Sequence, residues 1–335
     1  MMTMMVWMVM IVFFGVVAGE EKKNYNEAEH KALCDLLRVA VDKWGEVEKR
    51  VPTDPLRKAL ETTLFGYGTV GTLETLKSGL PSDYNDVEGT DSPRSNWCGQ
   101  PLSGQYQDSY PRWPGYSAPH DVVCLCTAGS HGWPINKTGK LCAQDKDTLK
   151  TDSEWWSGTN NTHKKDAIGN TWEVTVKRCL SGSSQEKDLK KALKKFTDEI
   201  KHKIEGGENF YVLGENGSDY IESPCNGSPR NGLCVMYHPN DTDTKTWWKD
   251  LDEALEKDEQ IQKQREEKER RRQKENAEKK DSAQKEAPSA HITTNQTDQQ
   301  HTGSTPTDKL RRLNPTSGTP ISRPSSWLLS AILLI

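Results

Sequence analysis

Residues 183–207 read SSQEKDLKKALKKFTDEIKHKIEGG. Leu189, Leu193, Phe196, Ile200 and Ile204 recur at three- and four-residue intervals, with Lys and Glu filling most of the positions between. That spacing puts five apolar side chains on one face of an α-helix. Ser183 and Glu186 match a capping box at the start, and Gly206-Gly207 supplies a stop. The reading is one helix over 184–205. A second stripe runs through 26–51, formed by Leu33, Leu37, Ala40, Trp44, Val47 and Val51, with Asn26 as N-cap and Pro52 at the end. Each stripe can bury the other, which predicts a coiled-coil-like pair of long helices as the spine.

The intervening and following segments fill in around that pair. Residues 55–78 read as a further helix through Leu56, Leu60, Thr63, Tyr67, Val70 and Leu73, entered by a turn at 52–55. Gly66, Gly68 and Gly71 weaken it, at about 1 kcal/mol each relative to Ala. Residues 80–180 are dense in Pro, Gly, Asp, Asn and Ser and hold five Cys and six Trp. This predicts a loop-rich head with short strands at 122–126 and 172–176. Those Trp residues read as packing, since each supplies large apolar area where aliphatics are scarce. Residues 208–240 read as loop. From Thr244 a last helix carries Trp247, Trp248, Leu251, Ala254, Leu255 and Ile261, after which its apolar stripe stops. Residues 257–286 hold 11 basic and 9 acidic side chains, including the i,i+4 pairs Glu266/Arg270 and Glu267/Arg271, and read as a solvated helix. Residues 287–317 read as a disordered linker. The fold class is mainly α, with few short strands.

The chain of 335 residues is only 33% hydrophobic, with a mean hydropathy of −0.85. Its 45 basic and 49 acidic residues leave a net charge of −4, which argues against nucleic-acid binding driven by bulk charge. The basic run 268–274 is interleaved with Glu and does not change that. So small a core needs another source of stability, and eight Cys provide one.

Residues 4–18 are uncharged and mostly apolar, and Val17-Ala18-Gly19 is a small-residue cleavage site, so 1–19 reads as a signal peptide. The folded domain is expected over 20–256. At the other end an apolar tail at 327–335 follows a polar stretch at 319–326. Small site, polar spacer and apolar tail form the signal for a glycosylphosphatidylinositol (GPI) anchor, with Ser317 as the anchored residue, Gly318 and Asn314 as alternatives, and 318–335 removed.

An even number of Cys in a secreted chain implies disulfides, here up to four from Cys34, Cys98, Cys124, Cys126, Cys142, Cys179, Cys225 and Cys234. Cys225 and Cys234 flank turn-forming residues and read as a pair. Cys124 and Cys126 need separate partners, with Cys98 and Cys142 nearest. The rival is a zinc site from Cys124, Cys126, His131 and Cys142, disfavoured because C-x-C is not the usual ligand spacing and the compartment oxidises thiols. Sequons for N-glycosylation occur at Asn136, Asn160, Asn216, Asn226, Asn240 and Asn295. Asn226 lies beside Cys225, so an early disulfide could block it.

No G-x-S-x-G, H-E-x-x-H or P-loop pattern occurs. The single G-x-G-x-x-G, at 66–71, follows helix-like sequence rather than a strand and reads as a helix break or a site of close helix packing. Ser117, His120 and Asp121 have triad residue types, but within five residues they read as a polar loop before a strand. Nothing here asks for an enzyme, a cofactor or a metal; the GPI lipid and N-glycans are the expected covalent additions.

The order of segments, with Asn96-Trp97-Cys98-Gly99, Arg112-Trp113-Pro114-Gly115-Tyr116, the run from Ser117-Ala118-Pro119-His120-Asp121 to Cys124-Leu125-Cys126-Thr127, and Gly132-Trp133-Pro134-Ile135-Asn136 leading to Cys142, resembles the variant surface glycoproteins of African trypanosomes. The local match is nearest the Trypanosoma congolense type. The resemblance implies an elongated antiparallel long-helix hairpin or bundle topped by disulfide-pinned loops. Members are often homodimers, and the resemblance also implies GPI attachment to the outer leaflet of the plasma membrane and a dense coat met by host antibodies. A nutrient receptor on the same helical scaffold, binding a host serum protein, is the rival. The second Cys-rich C-terminal domain of some relatives is missing here, and the stalk at 257–316 stands in its place.

Overall fold

The computed structural model describes residues 23–89, 92–101, 110–158, 163–205, 208–215, 217, 223–238 and 245–285. The signal peptide at 1–19, the sequons at Asn160, Asn216, Asn240 and Asn295, the linker and the anchor candidates Asn314, Ser317 and Gly318 lie outside the described residues. The chain divides into two units, Met1–Glu275 and Asn276–Ile335.

Helix α1 (Glu27–Val47) buries Leu33, Leu36, Leu37, Ala40, Trp44 and Val47 on the face its periodicity marks. It stops four residues earlier than expected, which leaves Val51 65% exposed. Asn26 precedes it in the left-handed region (φ 53°) and makes no side-chain cap. Its Nδ2 donates instead to the carbonyls of Leu125 and Leu233, and its Oδ1 accepts from the Glu215 amide. α2 (Pro55–Phe65) is capped by the Asp54 carboxylate, with Pro55 at its first position. The continuous 55–78 helix is corrected at Gly66: the glycine has φ 99°, and a Cβ there would lie 1.9 Å from the Tyr116 ring. The chain restarts as α3 (Leu73–Ser78), capped by Thr72 and Thr75.

α4 (Arg94–Cys98) and α5 (Ala118–Cys126) follow. The strand expected at 122–126 is thus a helix, capped by Ser117, and every residue of it is buried. A short, wholly apolar run has no period by which to tell the two apart. The strand expected at 172–176 fails for a different reason: Trp172-Glu173-Val174-Thr175-Val176 alternates over only five residues, and the fold instead buries Trp172, Thr175 and Val176 at helical spacing, as a π-helical turn between α6 (Lys164–Thr171) and α7 (Lys177–Ser181).

The 184–205 helix is also corrected. α8 spans only Leu189–Asp198 and is capped by Asp188, not by Ser183. It buries Leu189, Ala192, Leu193 and Phe196 and packs on α1, as the two stripes require. The chain then turns into β3 (Lys201–Glu205), which leaves Ile204 68% exposed. β4 (Glu208–Glu215) and β5 (Leu233–Tyr237) lie in the segment read as loop and complete an antiparallel sheet of order β3-β4-β5. Its register pairs Lys203 with Phe210 and Val212 with Met236. Backbone partners from β4 win 201–205 away from the helix. Two further short strands, β1 (Asn24–Tyr25) and β2 (Lys140–Leu141), pair in parallel.

Four disulfides take up all eight cysteines: Cys34–Cys179, Cys98–Cys124, Cys126–Cys142 and Cys225–Cys234. They join α1 to α7, α4 to α5 and the end of α5 to the end of β2, and they close the 225–234 loop. Trp97, Trp156, Trp172 and Trp247 are fully buried, with Trp97 stacked on Tyr84 at 5.7 Å and edge-on to Trp156 at 6.2 Å. Of the Trp residues of the head, Trp97, Trp156 and Trp172 therefore serve as core, whereas Trp113, Trp133 and Trp155 are half-buried.

The last helix, α9 (Trp247–Lys285), buries Leu251, Ala254 and Leu255. Tyr67 donates to Asp250, and ion pairs Arg50–Asp258 (2.8 Å) and Lys190–Glu259 (2.9 Å) hold this part in place. Residues 263–279 are exposed throughout, with the expected Glu267–Arg271 pair at 2.7 Å.

Candidate functional site

The polar residues that the sequence singles out meet inside the head rather than on its surface. Asp121 lies in the first turn of α5 and is fully buried. Its Oδ1 accepts from the Gly115 amide at 3.1 Å, and its Oδ2 accepts from Tyr237 Oη at 2.9 Å and from Trp247 Nε1 at 2.7 Å. One carboxylate thus ties α5 to the preceding loop, to β5 and to the start of α9. Burial pushes its pKa up to about 7, against the pull of the three donors.

His120, next along the helix, is also fully buried. Its Nε2–H donates to the Trp97 carbonyl at 2.9 Å, which leaves Nδ1 to accept from Tyr84 Oη at 2.7 Å. Burial and the nearby Arg112 cation hold its pKa down to about 3, so the ring is neutral. Ser117 Oγ accepts from the His120 backbone amide as the helix cap. These residues are therefore not a loop before a strand, and they form no relay. Both ring nitrogens and both carboxylate oxygens are engaged elsewhere, with no solvent access.

Two buried arginines complete the interior. Arg94 donates to the carbonyls of Thr127, Trp156 and Cys124 and stacks over the Trp156 ring at 4.9 Å. Burial lowers its pKa to about 9, which leaves it cationic at neutral pH. Arg112 pairs with Asp83 at 2.9 Å and lies over the rings of Tyr84 and Tyr116. Tyr84, Arg94, Tyr237 and Trp247 were not singled out as partners of this cluster, because no local spacing links residues so far apart in the chain.

The zinc alternative is overturned, because Cys124, Cys126 and Cys142 all sit in disulfides and His131 is exposed. His30 brings Nε2 to 3.7 Å from Cys179 Sγ, but that sulfur is bonded to Cys34 and offers no thiolate. The glycines at 66–71 form the break between α2 and α3, with a helix and not a strand before them. The groove between α2 and the start of α9 is open and of mixed charge, lined by Lys58, Glu61, Glu253 and Lys257. Of the sequons in the described residues, Asn136 is exposed and Asn226 is half-buried.

The interior defines the class: a disulfide-pinned, mainly helical scaffold whose buried polar groups hold segments together instead of facing a substrate. The trypanosomal VSG domain model matches residues 41–277, from within α1 to far along α9, well over half of the chain. The chain belongs to this family of variant surface glycoproteins, the structural surface-coat proteins of trypanosomes. The subdivision by species type rests on the motifs at 96–142 alone. A comparison with curated proteins finds no match.

Proposed function

We propose that the mature chain is a GPI-anchored coat glycoprotein that shields the parasite membrane sterically and varies its exposed loops to evade host antibodies. The observation that carries this reading is the family match over 41–277. The anchor follows from the terminal small-residue site and apolar tail, with Ser317, Gly318 or Asn314 as the attachment point. Among the described residues no helix is long and apolar enough to cross a membrane. N-glycans would widen each molecule's footprint, and a homodimer would double it.

The interior supplies a physical reason why such a surface can vary. Four disulfides, a Trp-rich core and the Asp121, His120 and Arg94 contacts lie inside. Surface substitutions away from such features change stability by about ±0.5 kcal/mol or less. Exposed positions can therefore change under antibody selection while the scaffold persists. The reading calls for no catalytic step and no cofactor.

Release from intact cells by phosphatidylinositol-specific phospholipase C, with surface copy number measured in the same cells, tests it. Lipase release at coat-level abundance is the expected result. A few copies per cell with saturable binding of one serum protein would favour the receptor reading. Recovery of a peptide ending at Ile335 from the surface protein would refute the anchor.

A further inference from the structure

We propose that the fold selects among the chain's own sequons: Asn136 carries an N-linked oligosaccharide, and closure of the Cys225–Cys234 loop keeps Asn226 bare. This rests on the secretory reading given above. In the transfer, Asn Nδ2 attacks C1 of the first sugar of a polyprenyl-pyrophosphate-linked oligosaccharide. The new N–C bond forms as the C–O bond to pyrophosphate breaks, and the displaced amide proton goes to base.

The two sequons differ in what their backbone and side chains are doing. Asn136, Lys137 and Thr138 are all exposed, at the tip of a loop leaving the fully buried Ile135. That loop is fixed beyond its tip by the Lys140 amide on the Lys23 carbonyl and by Cys142 in its disulfide with Cys126. A sequon so placed presents its amide whether the body has folded or not.

Asn226-Gly227-Ser228 is folded in on itself. Asn226 Oδ1 accepts from the Ser228 amide at 2.9 Å, and Ser228 Oγ accepts from the Asn231 amide at 3.2 Å. The Cys225 amide donates to Asn231, the Gly227 amide donates to Gly232, and the Gly227 carbonyl accepts from Ser130 across the head. Gly227 has φ 82°, and a Cβ there would lie 2.7 Å from the Trp156 carbonyl, so the middle of the sequon is pressed against the core. A transferase must grip the amide, the hydroxyl and the backbone between them, and here the amide's Oδ1, the hydroxyl oxygen and the Gly227 backbone are taken. The disulfide sets the timing. Its cysteines are 9 residues apart, against 16, 26 and 145 for the others, so this loop closes at the smallest entropic cost.

The test expresses the full chain in a secretory eukaryotic host and treats total cell and medium protein with peptide N-glycosidase in heavy-oxygen water. Mass spectrometry then reads Asn-to-Asp conversion at each of the six sequons. Conversion at Asn136 and none at Asn226 is expected. In the Cys225→Ala/Cys234→Ala double variant, conversion at Asn226 should appear. That readout does not depend on whether the variant completes its fold, because transfer competes with closure of this one short loop and retained protein is counted. Conversion at Asn226 in the parent chain, or a bare Asn226 in the double variant, overturns the gating. Conversion at Asn160, Asn216, Asn240 or Asn295 with a bare Asn136 overturns the Asn136 assignment while leaving the secretory reading intact. Conversion at none of the six overturns both.

Discussion

Removing the Cys34–Cys179 bridge by the double substitution Cys34→Ala/Cys179→Ala should cost more stability than any other disulfide removal in this chain. The bridge joins α1 to α7 across 145 residues of sequence. Two other bridges, with separations of 26 and 16, lie within that loop and shorten the free path to roughly 100 residues. Chain entropy then assigns the bridge about 4.7 kcal/mol of unfolded-state constraint at 25 °C. The same relation gives about 2.6 kcal/mol for Cys225–Cys234, at a separation of 9. All four of these cysteines are at least 97% buried, so the packing lost on going to Ala is similar in the two variants, and the difference isolates loop length. A gap of about 2 kcal/mol corresponds to roughly a thirtyfold difference in the folded-to-unfolded ratio. Urea unfolding of both double variants beside the parent, followed by Trp fluorescence, measures it. The reasoning fails if the Cys225/Cys234 variant is equally or more destabilised, since the long-range tie between α1 and α7 would then not limit the unfolded chain.

Asp121→Ala should cost at least about 3 kcal/mol, because it leaves the Gly115 and Trp247 N–H groups and the Tyr237 hydroxyl buried without their acceptor, at about 1–3 kcal/mol each; a thermal-melt loss under 1 kcal/mol would count against the hub. Acid should weaken the fold below pH 6.5: His30 (about 4) and His120 (about 3) are held below the unfolded value of 6.5, so their stabilising effect is complete above pH 6.5 and is lost as pH falls through 4 to 3. Asp121, raised from 3.8 to about 7, acts in the opposite sense between those values, so it offsets part of the loss between pH 6.5 and 4, and the two histidines set the sign of the net slope. Melting temperatures that rise as pH falls over that range would contradict this. Leu193→Asp places a carboxylate in the seam between α8 and α1 and should destabilise by several kcal/mol, whereas Gln273→Asp on the exposed part of α9 should leave the melt unchanged. Trypsin should cut first within 263–279, and early cleavage within α8 would refute the protected pairing of α1 and α8.

Where one element carries its own information, the sequence was enough. The apolar period of α1 and the Leu189, Leu193 and Phe196 stripe of α8 mark faces that any partner must cover, and the two faces do pack together. Local chemistry also identified the Cys225–Cys234 pair and the loss of an apolar stripe beyond Ile261, and it weakened, without ending, the helix that breaks at Gly66. Eight cysteines in a weakly apolar chain pointed to disulfides, and Cys98 and Cys142 are the separate partners found for Cys124 and Cys126. What needed the tertiary structure is whatever depends on a partner far along the chain. Residues 201–205 are a strand because β4 lies beside them, and 122–126 are a helix because burial on all sides removes the periodicity that would have shown it. Asn26 gives up its cap to bridge Leu125, Leu233 and Glu215, 99 to 207 residues away. Asp121 is one acidic residue among 49 until the fold brings Tyr237 and Trp247 to it across 116 and 126 residues. Periodicity and capping act within a turn or two of chain. A buried charge is satisfied by whichever donors the closed fold delivers, and local spacing does not encode that delivery.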